Sequence, residues 1–160
     1  IFSEFMKKII ILLGLPGSGK GTQAKSICQR YDYGHVSTGD LLRMLAKDPN
    51  ADPVNKKNLE DMKTGKLVAD EFIYKLAFGK IEEYINQDKG VVLDGAIRSV
   101  RQAKAYHKFF EDQGIADQVI VIEVAIADKT VLKRLEIRLQ TQGKQRPDDD
   151  PEIMKQRMKE

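Results

Sequence analysis

Residues 14–22 read GLPGSGKGT and follow directly on the apolar run KKIIILL. Four glycines in nine residues rule out a helix through this stretch, because each interior glycine costs about 1 kcal/mol against alanine. A flexible linker is ruled out by the flanks: a strand-like run precedes it and a lysine sits at its centre. The segment therefore joins a strand ending near Leu13 to a helix beginning near Lys20, with a bare backbone between them. The spacing Gly14-x-x-x-x-Gly19-Lys20 in that context is the phosphate-cradling loop. Its glycines let consecutive N–H groups turn inward as an anion nest, and the following helix adds its positive N-terminal end. Gly17, Ser18, Gly19, Lys20, Gly21 and Thr22 are the candidate phosphate-binding residues, with Lys20 as a compact charge for the outer phosphates. The general pattern puts Ser or Thr straight after the lysine. Here Gly21 intervenes, which leaves Thr22, or in second place Ser18, to offer a hydroxyl to a magnesium ion.

The rest of the chain alternates between strand and helix signals. GHVS reads as a short strand, and TGDLLRMLAK as a helix with Thr38 or Asp40 as its N-cap. DPNADP is a break, VNKKNLEDMKTG a polar helix, and ADEFIYKLAFGKIEEYINQ a long amphipathic one. GVVLDG and QVIVIEVAI are continuous, β-branched strands of the kind buried in parallel sheets. SVRQAKAYHKFFEDQG, DKTVLKRLEIRLQTQG and PEIMKQRMKE read as further helices, the last with Pro151 at its start. Strands separated by helices predict the α/β class: a parallel sheet flanked by helices with right-handed crossovers. Asp94 then falls at the carboxyl end of a sheet strand, where such sheets present groups to ligands. Its expected role is to hold magnesium through coordinated water.

At 160 residues, 41% apolar and 32% charged, the chain suits one domain, taken as residues 6–160. A net charge of +3 from 27 basic and 24 acidic residues argues against a nucleic-acid partner. The single cysteine, Cys28, excludes an internal disulfide and suits a reducing, cytoplasmic setting. His35 and His107 lack partner cysteines, so no metal site made of side chains alone is expected. The longest apolar run is too short to cross a bilayer. Met6 reads as a natural start, with residues 1–5 as a leader or appended remnant.

GLPGSGKGTQ resembles the nucleoside monophosphate kinases, and the adenylate kinase family in particular. In that family the glycine after the lysine belongs to the motif. Further segments fall in the family's order. STGDLLR (37–43) and TGKLVAD (64–70) are similar to its monophosphate-binding part. VVLDGAIRSVRQA (91–103) is similar to its DGFPR…Q turn, and KRLEIR…QRPDDDPE…R to its lid and the helix beyond. The resemblance implies transfer of a phosphoryl group from Mg·ATP to AMP, giving two ADP. It implies a monophosphate-binding helical subdomain at about 37–66 and a short lid at about 138–146. It implies ATP contacts from the glycine loop, Arg134 and Arg138, and AMP contacts from Thr38, Arg43, Lys66, Val68, Gly95, Arg98 and Gln102. Lys20, Arg98, Arg138, Arg146 and Arg157 are implied as the catalytic cations, with Thr22 and Asp94 at the magnesium ion. The partners expected are small nucleotides, with no nucleic acid, no membrane and a monomeric protein. Thr38 favours AMP, since pyrimidine-preferring relatives tend to carry alanine there. UMP- or CMP-type kinase activity, or nucleotide binding without turnover, are the alternatives.

Three departures shape the expectations. DGFPR reads DGAIR, so the Ala96–Ile97 bond is expected to be trans, the turn carrying Arg98 differently aimed, and AMP binding weakened. The lid lacks the cysteine cluster of long-lid relatives, so no structural zinc is expected. The chain stops at Glu160, where family members continue through a strand and a helix.

Overall fold

The computed structural model describes residues 8–63 and 70–142. Four strands, β1 (Ile9–Leu13), β2 (Gly34–Ser37), β3 (Val91–Asp94) and β4 (Val119–Glu123), form one sheet in the order β2-β3-β1-β4. Every pairing is parallel: Ile9 aligns with Val91 and Val119, and Gly34 with Val91. The predicted α/β class is what forms. The helices are α1 (Lys20–Tyr31), α2 (Thr38–Lys47), α3 (Pro53–Lys63), α4 (Asp70–Asn86), α5 (Val100–Asp112) and α6 (Asp128–Gln142). A short 3-10 turn at Ala116–Gln118 precedes β4. The leader assigned to residues 1–5, Lys66, Val68, lid residues 143–146, Arg146, Arg157 and the helix expected from Pro151 lie outside the described residues.

The strands read as unbroken apolar runs because both sheet faces are covered. On one face Ile9, Ile11, Val36, Val91 and Leu93 meet Ala77 and Ile81 of α4 and Tyr106, Phe109 and Phe110 of α5. Phe78 stacks on Phe109 at 4.1 Å between centroids, with Tyr106 edge-on to Phe78 at 4.9 Å. Each fully buried large side chain here contributes about 1.5–3 kcal/mol of transfer free energy. Burial pushes the Tyr106 phenol far up, so it stays protonated. On the other face Leu12 and Val92 pack with Ala24 of α1, together with Ile27 and Cys28. Strand alternation sends Ile9 and Ile11 one way and Ile10 and Leu12 the other.

β4 departs from the expectation. Its sequence matches the buried strands, yet Ile120, Val121 and Ile122 are 40%, 56% and 38% exposed, and it ends at Glu123 rather than running to Ile126. Among the described strands β4 is an edge strand, paired to β1 alone. Composition reports strand propensity but not how many neighbours a strand has. No helix among the described residues is long and apolar enough to cross a membrane.

Candidate active site

β1 delivers the chain into the glycine loop, and the loop's backbone explains its glycines. Gly14, Gly17 and Gly19 have φ of 138°, 81° and 104°, values that L-residues with side chains rarely adopt. Ser18 N donates to Leu15 O at 3.1 Å, closing the turn. Gly19 caps α1 in the left-handed region without a side-chain cap, so the first peptide N–H groups of α1 face the loop cavity. The Ser18 hydroxyl is buried there with no hydrogen-bond partner among the described residues. Lys20 Nζ donates to Gly14 O at 2.6 Å and Leu15 O at 2.9 Å, which folds the ammonium back over the nest.

Helix α6 holds the loop from outside. Val131 and Leu135 pack with Leu15 and Ile126, and a Cβ built at Gly17 would lie 3.0 Å from Leu135 Cδ2. Arg134 Nη1 donates to Ser18 O at 3.1 Å. Arg134, expected from the resemblance to contact ATP, is thus also a clamp on the loop. Arg138 lies on the same helix, and its side chain is outside the described residues.

Asp94 sits where the strand argument put it, at the end of β3 and beside the loop. A Cβ at residue 21 would fall 3.2 Å from Asp94 Oδ2. The glycine that breaks the general motif therefore keeps room for the carboxylate. His35, on β2, brings Nε2 to 3.8 Å from Asp94 Oδ2, and that buried nitrogen has no hydrogen-bond partner among the described residues. The sequence reading gave His35 no role. Its only signal was the strand alternation that also brings Ser37 to the cavity.

Magnesium fits the donor set here. Asp94 and Thr22 line the same cavity with hard oxygen atoms, and no cluster of three or more His, Cys, Asp or Glu occurs among the described residues. One or two protein oxygens completed by phosphate oxygens and water is the usual magnesium arrangement.

The opposite wall comes from α2 and the turn after β3. Ser37, rather than Thr38 or Asp40, caps α2: its Oγ accepts from Asp40 N at 3.4 Å. The extended backbone needed at a cap belongs to the last residue of β2, which makes Ser37 the capping position. Thr38 is buried, and its hydroxyl donates to Gly95 O at 3.1 Å. Arg43 Nη2 donates to Asp40 Oδ1 at 2.6 Å, an ion pair within α2. Gly95 has φ of 65°, and its carbonyl also accepts from Arg98 Nε at 3.2 Å. Arg98 N donates to Gln102 Oε1 at 2.7 Å. No described peptide bond is cis, as expected at Ala96–Ile97. Ala96 is buried in the core, and Ile97 rather than Ala96 faces the cavity.

One cavity of about 1010 Å³ joins these walls. Gly17, Ser18, Gly19, Lys20, Gly21, Thr22, Asp94 and Arg134 line its loop side. Arg43, Gly95 and Arg98 line the far side. Thr38 and Gln102 stand one hydrogen bond behind that wall, through Gly95 and Arg98. The volume is at the upper end for small-molecule sites, which typically span about 300–1,000 Å³.

A parallel sheet whose first strand feeds a glycine loop, a lysine-bearing helix start and a facing strand-end aspartate defines a P-loop nucleotide-binding protein. Matching against family models places residues 12–160 in "Adenylate kinase". The adenylate kinase of Rhizobium meliloti is 36% identical over 155 residues, covering 94% of this chain and 79% of that protein. Human adenylate kinase isoenzyme 1 is 36% identical over 151 residues, covering 94% and 73%. That of Francisella tularensis subsp. novicida is 41% identical over 126 residues, covering 79% and 54%. The chain belongs to the adenylate kinase family and is a phosphotransferase acting on nucleoside monophosphates.

Proposed function

We propose that the chain transfers the terminal phosphoryl group of ATP directly to AMP, reversibly, giving two ADP, with the site residues in the roles that follow. The observation that carries this reading is the single cavity with the glycine loop and Lys20 on one side and Arg43 and Arg98 on the other. Two anionic ligands can thus meet end to end between fixed positive charges. Transfer of this kind asks the protein for positioning and charge stabilisation, with no side chain as nucleophile.

The loop amides and Lys20 hold the donor's outer phosphates, and Arg134 steadies the loop through Ser18 O. Gly17, Ser18, Gly19, Gly21 and Thr22 complete that cradle. On the acceptor side Arg43 and Arg98 hold the monophosphate, while Thr38, Gly95, Lys66, Val68 and Gln102 place the nucleoside. Arg138, Arg146 and Arg157 are assigned to the transferring group by family resemblance, and closure of the lid around residues 138–146 excludes water. Asp94 and Thr22 would hold magnesium, which when bound supplies positive charge to the phosphate oxygens. The reading includes a monomeric protein in the cytoplasm, a setting that the single cysteine suits.

A coupled ADP assay with ATP and, in turn, AMP, CMP, UMP and GMP tests the proposal. AMP should be the best acceptor. Lys20→Ala should lower kcat by two orders of magnitude or more, the scale for loss of a preorganised charge, with Tm little changed. A Lys20→Ala variant with near-normal kcat, or ATP binding without ADP formation, overturns it.

A further inference from the structure

Gln102 carries more hydrogen bonding than a residue that only meets a ligand requires. Its Oε1 accepts from Arg98 N at 2.7 Å, and its Nε2 donates to Asp70 Oδ1 at 3.2 Å. The second Asp70 oxygen, Oδ2, accepts from Arg101 Nη2. Asp70 is the first residue of α4, and its side chain is 21% exposed. A side-chain amide can rotate by half a turn and exchange its donor and acceptor. Both neighbours of Gln102 oppose that rotation here. A peptide N–H can only donate, and an ionised carboxylate can only accept, so the flipped amide would meet a donor with its NH₂ and an acceptor with its oxygen.

We infer that Asp70 is a positioning residue that fixes the polarity of the Gln102 amide, and that the acceptor site thereby discriminates 6-amino from 6-oxo purine monophosphates. The inference rests on the reading that Gln102 meets the acceptor base. With its polarity fixed, the amide offers one remaining N–H and one remaining lone pair in a set order. The Watson–Crick edge of adenine presents an acceptor at N1 beside a donor at N6. Hypoxanthine presents the reverse, a donor at N1 beside an acceptor at O6. An amide able to flip serves either base, whereas one held by Asp70 and Arg98 N matches a single edge. A site whose polar groups are matched to one pattern leaves buried groups unpaired against the other, and this is the strongest form of discrimination that hydrogen bonding supplies.

Asp70→Asn is the informative variant. It keeps shape and volume, but its amide can donate to the flipped Gln102 oxygen, which leaves Arg98 N alone to oppose the rotation. The ratio of kcat/KM for AMP to that for IMP should fall about tenfold in Asp70→Asn, through a lower KM for IMP, with kcat for AMP near wild type. Arg101→Met, which removes the ion pair and keeps the carboxylate, should leave the ratio unchanged. Equilibrium binding of AMP and IMP to the same proteins should show the same pattern. Gln102→Leu separates the two layers of the argument. If it collapses the ratio while Asp70→Asn does not alter it, the inference fails and the reading of Gln102 stands. If Gln102→Leu leaves the ratio unchanged, that reading fails and the inference with it. An Asp70→Asn variant that raises KM for AMP and IMP by one common factor shows a purely structural aspartate and overturns the inference.

Discussion

Replacing Gly14 with alanine tests whether the glycine loop is held by its contact with Val124, the residue that follows β4, or only by its own turn. The backbone at Gly14 has φ of 138°, and an added Cβ would lie 2.5 Å from Val124 O and 3.3 Å from Val124 C. Real Cβ atoms essentially never come within 3.0 Å of another heavy atom in this way. Val124 cannot step aside cheaply, because its N donates to Leu13 O at 2.8 Å at the end of the β1–β4 ladder. A backbone region open essentially to glycine alone costs about 1–3 kcal/mol for other residues. Overpacking against a fixed neighbour adds about 1–3 kcal/mol. The expected loss is about 4 kcal/mol, a fall in Tm of roughly 8–16 °C at this chain size. Gly114→Ala is the control: φ there is 66° and nothing lies within 4 Å of the added Cβ. Only the left-handed backbone cost remains, about 1–2 kcal/mol or roughly 2–8 °C. Thermal unfolding followed by circular dichroism reads both variants. The KM for ATP should rise in Gly14→Ala alone, since Gly14 O is an acceptor for Lys20 Nζ. Equal losses of Tm in the two variants would refute the argument that Val124 holds the loop.

Three further outcomes are expected. His35→Leu fills the same volume but offers Asp94 no polar neighbour. His35 Nε2 lies 3.8 Å from Asp94 Oδ2 without a hydrogen bond. The magnesium concentration for half-maximal turnover should therefore rise by less than the roughly tenfold usual when an orienting hydrogen bond is lost, and a larger rise would contradict this. Burial pushes the Cys28 thiol above its ordinary value, with a backbone hydrogen bond opposing in second place. Its thiolate fraction at pH 7.5 is therefore below that of a free cysteine and grows only as pH rises further. Iodoacetamide should label it more slowly than a free thiol at pH 7.5, and an equal or faster rate would contradict this. Finally, DGAIR in place of DGFPR should leave the KM for AMP above the usual micromolar range, and a value within that range removes the expectation.

What the sequence made legible was local. The glycine loop, the strand before it, the helix after it and Asp94 at a strand end each depend on residues close together in the chain. Hydrophobic continuity gave β1 and β3 correctly because both are flanked by strands and covered on two faces. The same continuity gave β4, yet could not show that it lies at the edge of the described sheet. The site's connecting bonds were illegible for a different reason. Thr38 reaches Gly95 across 57 positions and Gln102 reaches Asp70 across 32. No periodicity or propensity links residues that far apart. Ser37 was missed as the cap of α2 because Ser37, Thr38 and Asp40 are all good capping types, and only the backbone decides which one leaves the helix.

The turn after β3 is tied by hydrogen bonds at the place where the family pattern carries a proline. A proline would fix this turn by restricting φ. Here Gly95 O accepts from both Thr38 and Arg98, and Arg98 N donates to Gln102. Each such bond contributes about 0.5–1.5 kcal/mol net, so three together can replace the restriction that a proline ring supplies. Ala96 is a core residue, 4% exposed, and the cavity is met by Ile97 instead. Two causes of a weakened acceptor site then stand apart: the surface that Ile97 presents and a differently aimed Arg98. The two causes separate in kinetics. A misdirected arginine would lower kcat by spoiling alignment at the reacting phosphate, whereas a poorer wall beside the nucleoside raises KM and leaves kcat in place.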